Sequence, residues 1–376
     1  MIYLDNSATT YPKPQSVVAA VCNALRRYSF NSGRGGYAQS VNTAEMIFSS
    51  RQSIAELVNA EPQNIVFTQN CTLALNMAIK GLAREGDHII ISSLEHNAVY
   101  RPVYALSKRK GISYTVVPYD YDEDKLLSNF ENSIQENTSF IVCTGASNVF
   151  GCAMPISKIG ALAKKHGIRF VVDGAQIVGV TDIDIVRDNI DILCAAGHKG
   201  LYGPLATGFM ALNDSVLPQT IIEGGTGSLS MEPDQPDFLP DRFEAGTLNN
   251  SGIIGLASGV TFVKKKGIES IYSHEMKIIK YIYSALSADS NAVLYTPSPD
   301  GFNSAPILSF NYKDYSSEET ASLLGNGNIA VRGGFHCAPL AHMSFGTDER
   351  GTVRVSPSVF TSFKDCENFI NYLKKL

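Results

Sequence analysis

The stretch IRFVVDGAQIVGV at residues 168–180, followed by DILCAAGHKGLYGP at residues 191–204, decides the fold class. Each segment opens with a continuous apolar run, which is typical of a strand buried on both faces of a parallel sheet. The first run ends in an acid and the second in Gly-His-Lys. Ligands bind at the carboxyl ends of such strands. We therefore expect one crevice to collect four side chains: Asp173, Gln176, His198 and Lys199.

A lysine and an acid at two strand ends, 26 residues apart, fit a site for pyridoxal phosphate (PLP). Lys199 would form the Schiff base, and Asp173 would keep a proton on the pyridine nitrogen so that the ring can accept electrons. A surface lysine and an unrelated strand-end acid explain this pair equally well. The rest of the chain has to decide between the two interpretations.

The composition predicts a globular protein with a substantial core. The 376 residues are 44% hydrophobic and 18% charged, and this length suggests two domains. The net charge of −5 gives no reason to expect nucleic acid as a partner. No apolar run reaches the roughly 18 residues of a membrane span. The seven cysteines lack a CxxC pair, so we expect a cytoplasmic protein with free thiols and neither disulfides nor a metal site.

Strand-like and helical patterns alternate through the first two thirds of the chain. This alternation predicts an α/β fold with a mostly parallel sheet covered by helices. The predicted strands are Ile65–Thr68, His88–Ser92, Ser113–Pro118, Phe140–Thr144, Ile168–Asp173, Asp191–Ala195 and Thr207–Leu212. The main predicted helices are Pro14–Tyr28, Thr43–Asn59, Val99–Lys110, Lys125–Asn137, Ile156–His166, Gly252–Lys266, Ile268–Ala288, Ser317–Leu324 and Phe363–Lys375.

Three polar positions beside these strands are candidate site residues. The strand at 65–68 runs into a polar turn and a helix start, where unpaired amides can hold a phosphate. Thr72 is the best hydroxyl donor there, although an ordinary helix cap is an alternative. His96 and Asn148 each follow a strand end, which favours a functional role, although a lone histidine is more often structural than catalytic.

The remainder of the chain predicts a second, smaller domain. A long polar segment begins at Glu223, and long irregular segments tend to be functional loops or interface arms. We place the large domain at residues 14–255 and a smaller α+β domain at residues 1–13 and 256–376. The smaller domain carries RGGFHCAP at residues 332–339, which resembles a glycine-rich loop around Cys337.

Motifs across the chain resemble the class V aminotransferase family of fold type I PLP-dependent transferases, and within it the cysteine desulfurases. They run from YLDNSATT at residue 3 to GTVRVSPS near residue 358, and the RxGxHCA form resembles group II desulfurases and selenocysteine lyases. The motifs between, in family order, are EHNA, SNVFG, DGAQ, GHKGLYGP, RFEAGT and RGGFHCAP.

The resemblance implies a cofactor site. Lys199 would hold PLP and later move the substrate α-proton, while Asp173 would pair with the pyridine N–H. Gln176 would bind the phenolic oxygen and His96 would stack on the ring. The implied phosphate ligands are Thr72, His198 and, from the partner subunit of a homodimer, Thr247.

The resemblance also implies a substrate site and a sulfur carrier. Arg354 would bind the carboxylate of L-cysteine or L-selenocysteine, assisted by Asn148, Arg332 and Arg34. Cys337 would take the sulfur as a persulfide for an acceptor protein, as in iron–sulfur cluster assembly. Because the nucleophile must be a thiolate, we expect cationic Arg332 and His336 to favour ionisation.

The chain departs from the usual group II pattern around the cofactor. Ala196 stands where a phosphate-binding serine is common, and Cys71 precedes Thr72 in place of a second threonine. Other reactions of the family therefore stay open: selenocysteine lyase, aminotransferase, or a C–S lyase without a persulfide. A non-catalytic, PLP-binding sulfur-transfer scaffold is a further alternative, disfavoured because Lys199, Asp173 and Cys337 are all present.

Overall fold

The computed structural model describes residues 1–33, 35–109, 111–299 and 304–376. The strands are β1 Ile2–Tyr3, β2 Ile65–Thr68, β3 His88–Ser92, β4 Ser113–Val117, β5 Thr138–Thr144, β6 Arg169–Asp173, β7 Ile192–Ala196, β8 Gly208–Leu212, β9 Ala292–Leu294, β10 Leu308–Tyr312, β11 Ile329–Ala330 and β12 Val353–Val355. The α-helices are α1 Gln15–Arg27, α2 Ala38–Val58, α3 Cys71–Leu82, α4 Asn97–Arg109, α5 Glu123–Asn132, α6 Ile156–Lys165, α7 Asn250–Lys266, α8 Ile268–Ser287, α9 Ser317–Asn326, α10 Pro339–Ser344 and α11 Phe363–Leu373.

A seven-stranded sheet forms the centre of the fold, in the order β2-β8-β7-β6-β5-β3-β4. Every neighbouring pair from β7 to β4 is parallel, and β8 runs antiparallel to both β2 and β7. The predicted α/β class with a mostly parallel sheet is confirmed. Because β6 and β7 are parallel neighbours, their carboxyl ends lie at the same edge of the sheet.

Successive residues of the central strands enter two different cores. Ile141, Cys143 and Phe170 pack on one face, in a core that also contains residues of α2, α6 and α7. Val142 and Val171 pack on the other face, with residues of α3 and α4. Side chains alternate across a strand, so continuous apolar runs fill both faces. This explains why the runs show no polar alternation in the sequence.

A third core lies among the C-terminal elements. The antiparallel sheet β12-β10-β9 packs there with α8 and α11. Strand β1 pairs in parallel with β11, and Leu4 lies in the same core. Helix α7 runs across residue 255, and its Ile253 and Val260 pack in the first core. The division of the chain after residues 13 and 255 stays a prediction.

Most predicted elements lie within two residues of the observed bounds, and the differences fall at helix ends and short elements. Helix α2 begins at Ala38, five residues before the predicted start, and α5 ends at Asn132 and not at 137. The sequence patterns did not identify β9, β11, β12 or α10, which span six residues or fewer. Among the described residues, no helix is both long and apolar enough to cross a membrane.

Candidate active site

Asp173 and the Gly-His-Lys turn meet at one edge of the sheet, as the sequence predicts. Asp173 is the last residue of β6 and pairs with Cys194 of β7, whose strand leads into Lys199 after three residues. Burial lowers the pKa of the Lys199 ammonium, and the nearby Asp173 carboxylate opposes this shift. The two groups therefore interact electrostatically, and the neutral amine of Lys199 forms at a lower pH than that of an exposed lysine.

The Asp173 carboxylate is buried and held by two donors. The backbone N–H of Ala175 donates to Oδ1 at 3.0 Å, and the Cys71 thiol donates to the same oxygen at 3.3 Å. Asp173 itself is 3% exposed. The sequence predicts the acid but not its thiol partner, because Cys71 lies 102 residues away along the chain.

His198 presents a nitrogen that has no protein partner. Its Nδ1 is buried and makes no hydrogen bond within the described part of the chain. Burial, then Lys199 and Lys13, lowers the pKa of His198 to about 4, so the imidazole is neutral at physiological pH. Its carbonyl oxygen accepts from the Lys13 ammonium at 2.9 Å and from the Thr10 N–H at 3.0 Å. The sequence reading did not identify Lys13, which fixes the turn before Lys199.

The start of α3 leaves a threonine hydroxyl in the first helical turn. Asn70 is the cap residue, and its side chain accepts from the Leu73 N–H at 2.8 Å. Thr72 is exposed and does not act as the cap. The first amides of a helix lack partners within the helix, so this end suits an anion.

His96 lies among the charged groups of the site. Its Nδ1 accepts from the Ala98 N–H at 3.0 Å, which leaves the proton of the neutral ring on Nε2. Burial lowers its pKa to about 4, with Asp173 opposing and Lys199, Arg332 and Arg354 adding to the shift. A neutral, half-buried imidazole is suited to packing against an aromatic ring.

Arg354 is 1% exposed and is anchored on two sides. One terminal nitrogen donates to Asp5 Oδ1 at 2.6 Å, and the other donates to the Asn148 carbonyl at 2.9 Å. Among the described residues its Nε has no hydrogen-bond partner. The guanidinium therefore keeps unused N–H donors for a further acceptor. Asp5 belongs to the motif YLDNSATT, but the sequence alone does not identify it as the partner of Arg354.

Asn148 and Arg332 connect Arg354 to the loop before Cys337. Asn148 Nδ2 donates to the His336 carbonyl at 2.8 Å, and its buried Oδ1 has no partner in the described chain. Arg332 pairs with Arg354 through the backbone, and its carbonyl accepts from His336 Nε2 at 3.1 Å. The three predicted substrate residues that the structure describes thus form one hydrogen-bonded group.

Cys337 is exposed on a tightly bent loop. It has φ +57° and follows His336 with φ +50°, a left-handed conformation that costs a non-glycine residue about 1–2 kcal/mol. The Cys337 carbonyl accepts from the Asn97 N–H at 2.7 Å. The loop is therefore fixed to the start of α4, directly after His96.

One electrostatic expectation for Cys337 is wrong. Burial, and then the positive charge of Arg354, lowers the pKa of His336 to about 2. The imidazole is neutral at physiological pH, because burial disfavours its charged form. His336 therefore supplies no positive charge to the Cys337 thiol.

The remaining predicted residues lie in three places. Gln176 Nε2 donates to the Ser7 carbonyl at 3.2 Å, and Gln176 and Lys199 both border a cavity of about 30 Å³. Thr247 is exposed and lines a separate, open cavity of about 910 Å³, together with Arg51 and segment 223–236. Arg34 lies outside the described residues. Within the described chain, no group of three or more His, Cys, Asp or Glu side chains could hold a metal ion.

These residues fit PLP. The unpartnered His198 Nδ1 and the start of α3 with Thr72 offer donors for a phosphate. Asp173, held only through Oδ1 in the described contacts, offers an oxygen for a pyridinium N–H. Lys199 has a lowered pKa, as a Schiff-base lysine requires.

Comparisons with known proteins point to one family. The family model for aminotransferase class-V matches residues 2–369. A probable cysteine desulfurase of Methanothermobacter thermautotrophicus is 32% identical over 373 residues, covering 97% of this chain and 92% of that protein. A cysteine desulfurase of Escherichia coli is 31% identical over 348 residues, covering 90% of this chain and 84% of that protein. The apo structure of a cysteine desulfurase from Thermococcus onnurineus superposes with a TM-score of 0.92 at 30% identity, covering 100% of this chain and 94% of that chain.

Proposed function

This chain belongs to the class V aminotransferase family, and we propose that it is a PLP-dependent cysteine desulfurase, which converts L-cysteine into L-alanine. One observation carries the proposal: exposed Cys337 lies on a loop that hydrogen bonds connect to Arg354, Asn148 and the residue after His96. Relatives that are about 30% identical over nearly the whole chain carry the name cysteine desulfurase, which supports it.

Arg354 and its neighbours bind the substrate carboxylate in this proposal. The free N–H donors of a buried guanidinium gain a charge-assisted acceptor, which is stronger than a neutral hydrogen bond. Asp5 and the Asn148 carbonyl hold the guanidinium in place beforehand. Binding therefore requires little reorganisation of the arginine.

Lys199 moves the substrate proton. When bound, PLP supplies an electron sink for the electron pair left at the substrate Cα. The Lys199 amine, whose pKa is lowered by burial, takes the proton from Cα at its Nζ and returns a proton to the substrate carbon skeleton. Neutral His96 and His198 do not compete as acids at physiological pH.

Cys337 accepts the sulfur. Its thiolate forms an S–S bond to the substrate Sγ while the Cβ–S bond breaks, and the released electron pair is taken up by a proton at Cβ. The balance is L-cysteine plus the Cys337 thiol giving L-alanine plus a Cys337 persulfide. A Cys337 that carries the persulfide cannot attack again. A protein acceptor or a thiol reductant must therefore remove the outer sulfur before the next turnover.

The decisive experiment compares Cys337→Ala with Cys22→Ala, a substitution of another exposed cysteine. We expect wild type and Cys22→Ala to release alanine from L-cysteine and to gain one sulfur atom on Cys337 by mass spectrometry. Cys337→Ala should bind PLP but release no alanine. Equal alanine release by Cys337→Ala would contradict the proposal and favour a lyase without a persulfide. If Cys337→Ala were active on L-selenocysteine but not on L-cysteine, this would support a role of Cys337 that is required only when the substrate carries sulfur.

The proposal extends to the compartment of the enzyme, its oligomeric state and its sulfur acceptor. We place it in the cytoplasm as a homodimer that passes sulfur to an acceptor protein of iron–sulfur cluster assembly. Free cysteines in the described chain support a reducing compartment. Exposed apolar side chains of the segment beside Thr247, such as Met231 at 93% exposure, support an interface there.

A further inference from the structure

Cys71 contacts the carboxylate of Asp173, which in the proposed function pairs with the ring nitrogen of PLP. It is the first residue of α3, and its Sγ lies 3.3 Å from Asp173 Oδ1. The side chain is 7% exposed. Asn70 caps the helix immediately before it. The contact therefore joins the start of a helix to the end of β6.

The thiol is the donor in this contact. Burial raises the pKa of Cys71 well above its ordinary value, and the negative charge of Asp173 raises it further. A thiolate at this distance would place two negative charges side by side in a buried site. Cys71 therefore stays protonated and donates its S–H to the carboxylate.

Both described hydrogen bonds to the Asp173 side chain end on the same oxygen. Ala175 donates from the loop after β6, and Cys71 donates from α3. Two donors from different elements fix the plane of the carboxylate. Oδ2 is therefore the oxygen left to accept from a cationic N–H. How tightly that nitrogen holds its proton depends on the negative charge that the carboxylate retains.

We propose that Cys71 is a positioning residue that orients Asp173 and sets how strongly this acid holds the proton of the PLP ring nitrogen. The proposal rests on the cofactor site of the proposed function. A thiol is a weak donor. A hydroxyl at this position would draw more charge from the carboxylate, and an alanine would leave Oδ1 with the Ala175 amide alone.

The test measures bound PLP in the absence of substrate. The visible absorbance of wild type, Cys71→Ala and Cys71→Ser is titrated with pH, and the PLP dissociation constant is measured alongside. We expect the pH midpoint of the absorbance change of bound PLP to shift in opposite directions in the two variants, each by about 0.5 pH unit. With L-cysteine, Cys71→Ala should lower kcat several-fold and change KM less than two-fold.

Cys194→Ala is the matched control. Cys194 is also buried, and it pairs with Asp173 through the sheet, yet no hydrogen bond described for the chain joins its thiol to that carboxylate. It should keep the wild-type midpoint. A wild-type midpoint in both Cys71 variants, or an equal shift in Cys194→Ala, would overturn the inference.

The outcomes separate this inference from the proposed function. A wild-type protein that binds PLP but forms neither alanine nor persulfide would contradict the desulfurase, and the spectral titration would still decide the role of Cys71. If Cys71→Ala fails to fold, the midpoint of Cys71→Ser decides alone: a shift supports the inference, and no shift overturns it.

Discussion

At the scale of single residues, burial determines the charge state of the site. His96, His198 and His336 all have pKa values lowered mainly by burial, to about 4, 4 and 2. The cations that remain near the substrate are arginines, which stay charged when buried. In our proposal, substrate recognition therefore depends on Arg354 and not on a protonated histidine.

Arg354→Lys tests this dependence. A lysine ammonium cannot donate to Asp5, to the Asn148 carbonyl and to a carboxylate with the geometry of a planar guanidinium. We expect KM for L-cysteine to rise about 10–100-fold, the equivalent of losing one or two charge-assisted hydrogen bonds. Steady-state kinetics at saturating PLP measures it.

Asp5→Asn is the control for that substitution. It keeps the guanidinium but removes the charge that pairs with it. We expect it to lower the thermal unfolding midpoint and to raise KM less than Arg354→Lys does. A KM within two-fold of wild type in Arg354→Lys would show that another group binds the carboxylate.

Some residues of the site could be predicted from the sequence, and others could not. Asp173, His198 and Lys199 were predictable because strand ends of a parallel sheet meet at one edge. The ion pair of Arg354 with Asp5 joins residues 349 positions apart. No local pattern predicts such a contact, because it depends on how β1 and β12 come together in the folded chain.

At the scale of elements, long periodic segments were predictable and short ones were not. The seven strands of the central sheet carry apolar runs that the sequence shows directly. Strands β9 and β11 have three and two residues, too few for any period to emerge. Their pairing partners and not their own sequences determine that they are strands.

The connection between α4 and the Cys337 loop gives a prediction at this scale. The Asn97 N–H donates to the Cys337 carbonyl, and Asn97 is the first residue of α4. Proline is tolerated at the first helical position, so Asn97→Pro removes this donor without breaking the helix. We expect persulfide formation on Cys337 to slow several-fold while PLP absorbance stays unchanged.

Rapid-quench mass spectrometry of Cys337 measures that rate. Asn97→Ala retains the backbone donor and should react at the wild-type rate. If Asn97→Pro also reacts at the wild-type rate, the hydrogen bond between α4 and the loop does not position the thiol.

At the scale of the whole molecule, the predicted homodimer has a stringent test. In our proposal Thr247 binds the phosphate in the partner's site, whereas Lys199 acts within its own chain. A heterodimer of Lys199→Ala and Thr247→Asp would carry both defects in one site and none in the other. We expect two nearly inactive variants to regain about a quarter of wild-type activity after mixing and subunit exchange, as random two-fold pairing gives.

Sedimentation establishes that the mixed sample is dimeric. The control mixes Lys199→Ala with Asp173→Asn. Each of these defects lies in the site of its own chain, so neither site of the heterodimer is intact. Restored activity in that control, or none in the first mixture, would refute a shared active site.

The burial of Glu275, which borders the same small cavity as Lys199, adds a pH dependence to the stability of the whole molecule. Glu275 of α8 is 4% exposed and accepts a hydrogen bond from the Tyr202 hydroxyl at 3.1 Å. Burial raises its pKa from 4.5 to about 8, against an opposing effect of Tyr202. Between these two pH values the folded protein keeps a proton that the unfolded chain has lost. The contribution of Glu275 to stability is therefore complete below pH 4.5 and is lost as the pH rises to about 8.

Glu275→Gln should remove this dependence, because the amide keeps an acceptor for Tyr202 and has no proton to lose. We expect its unfolding free energy to fall less steeply than that of wild type between pH 5 and 8, by about 1.4 kcal/mol per pH unit. Urea unfolding at a series of pH values measures the slope. Glu269→Gln, an exposed change on the same helix, should leave the slope unchanged. Equal slopes in wild type and Glu275→Gln would mean that Glu275 is ionised in the folded protein.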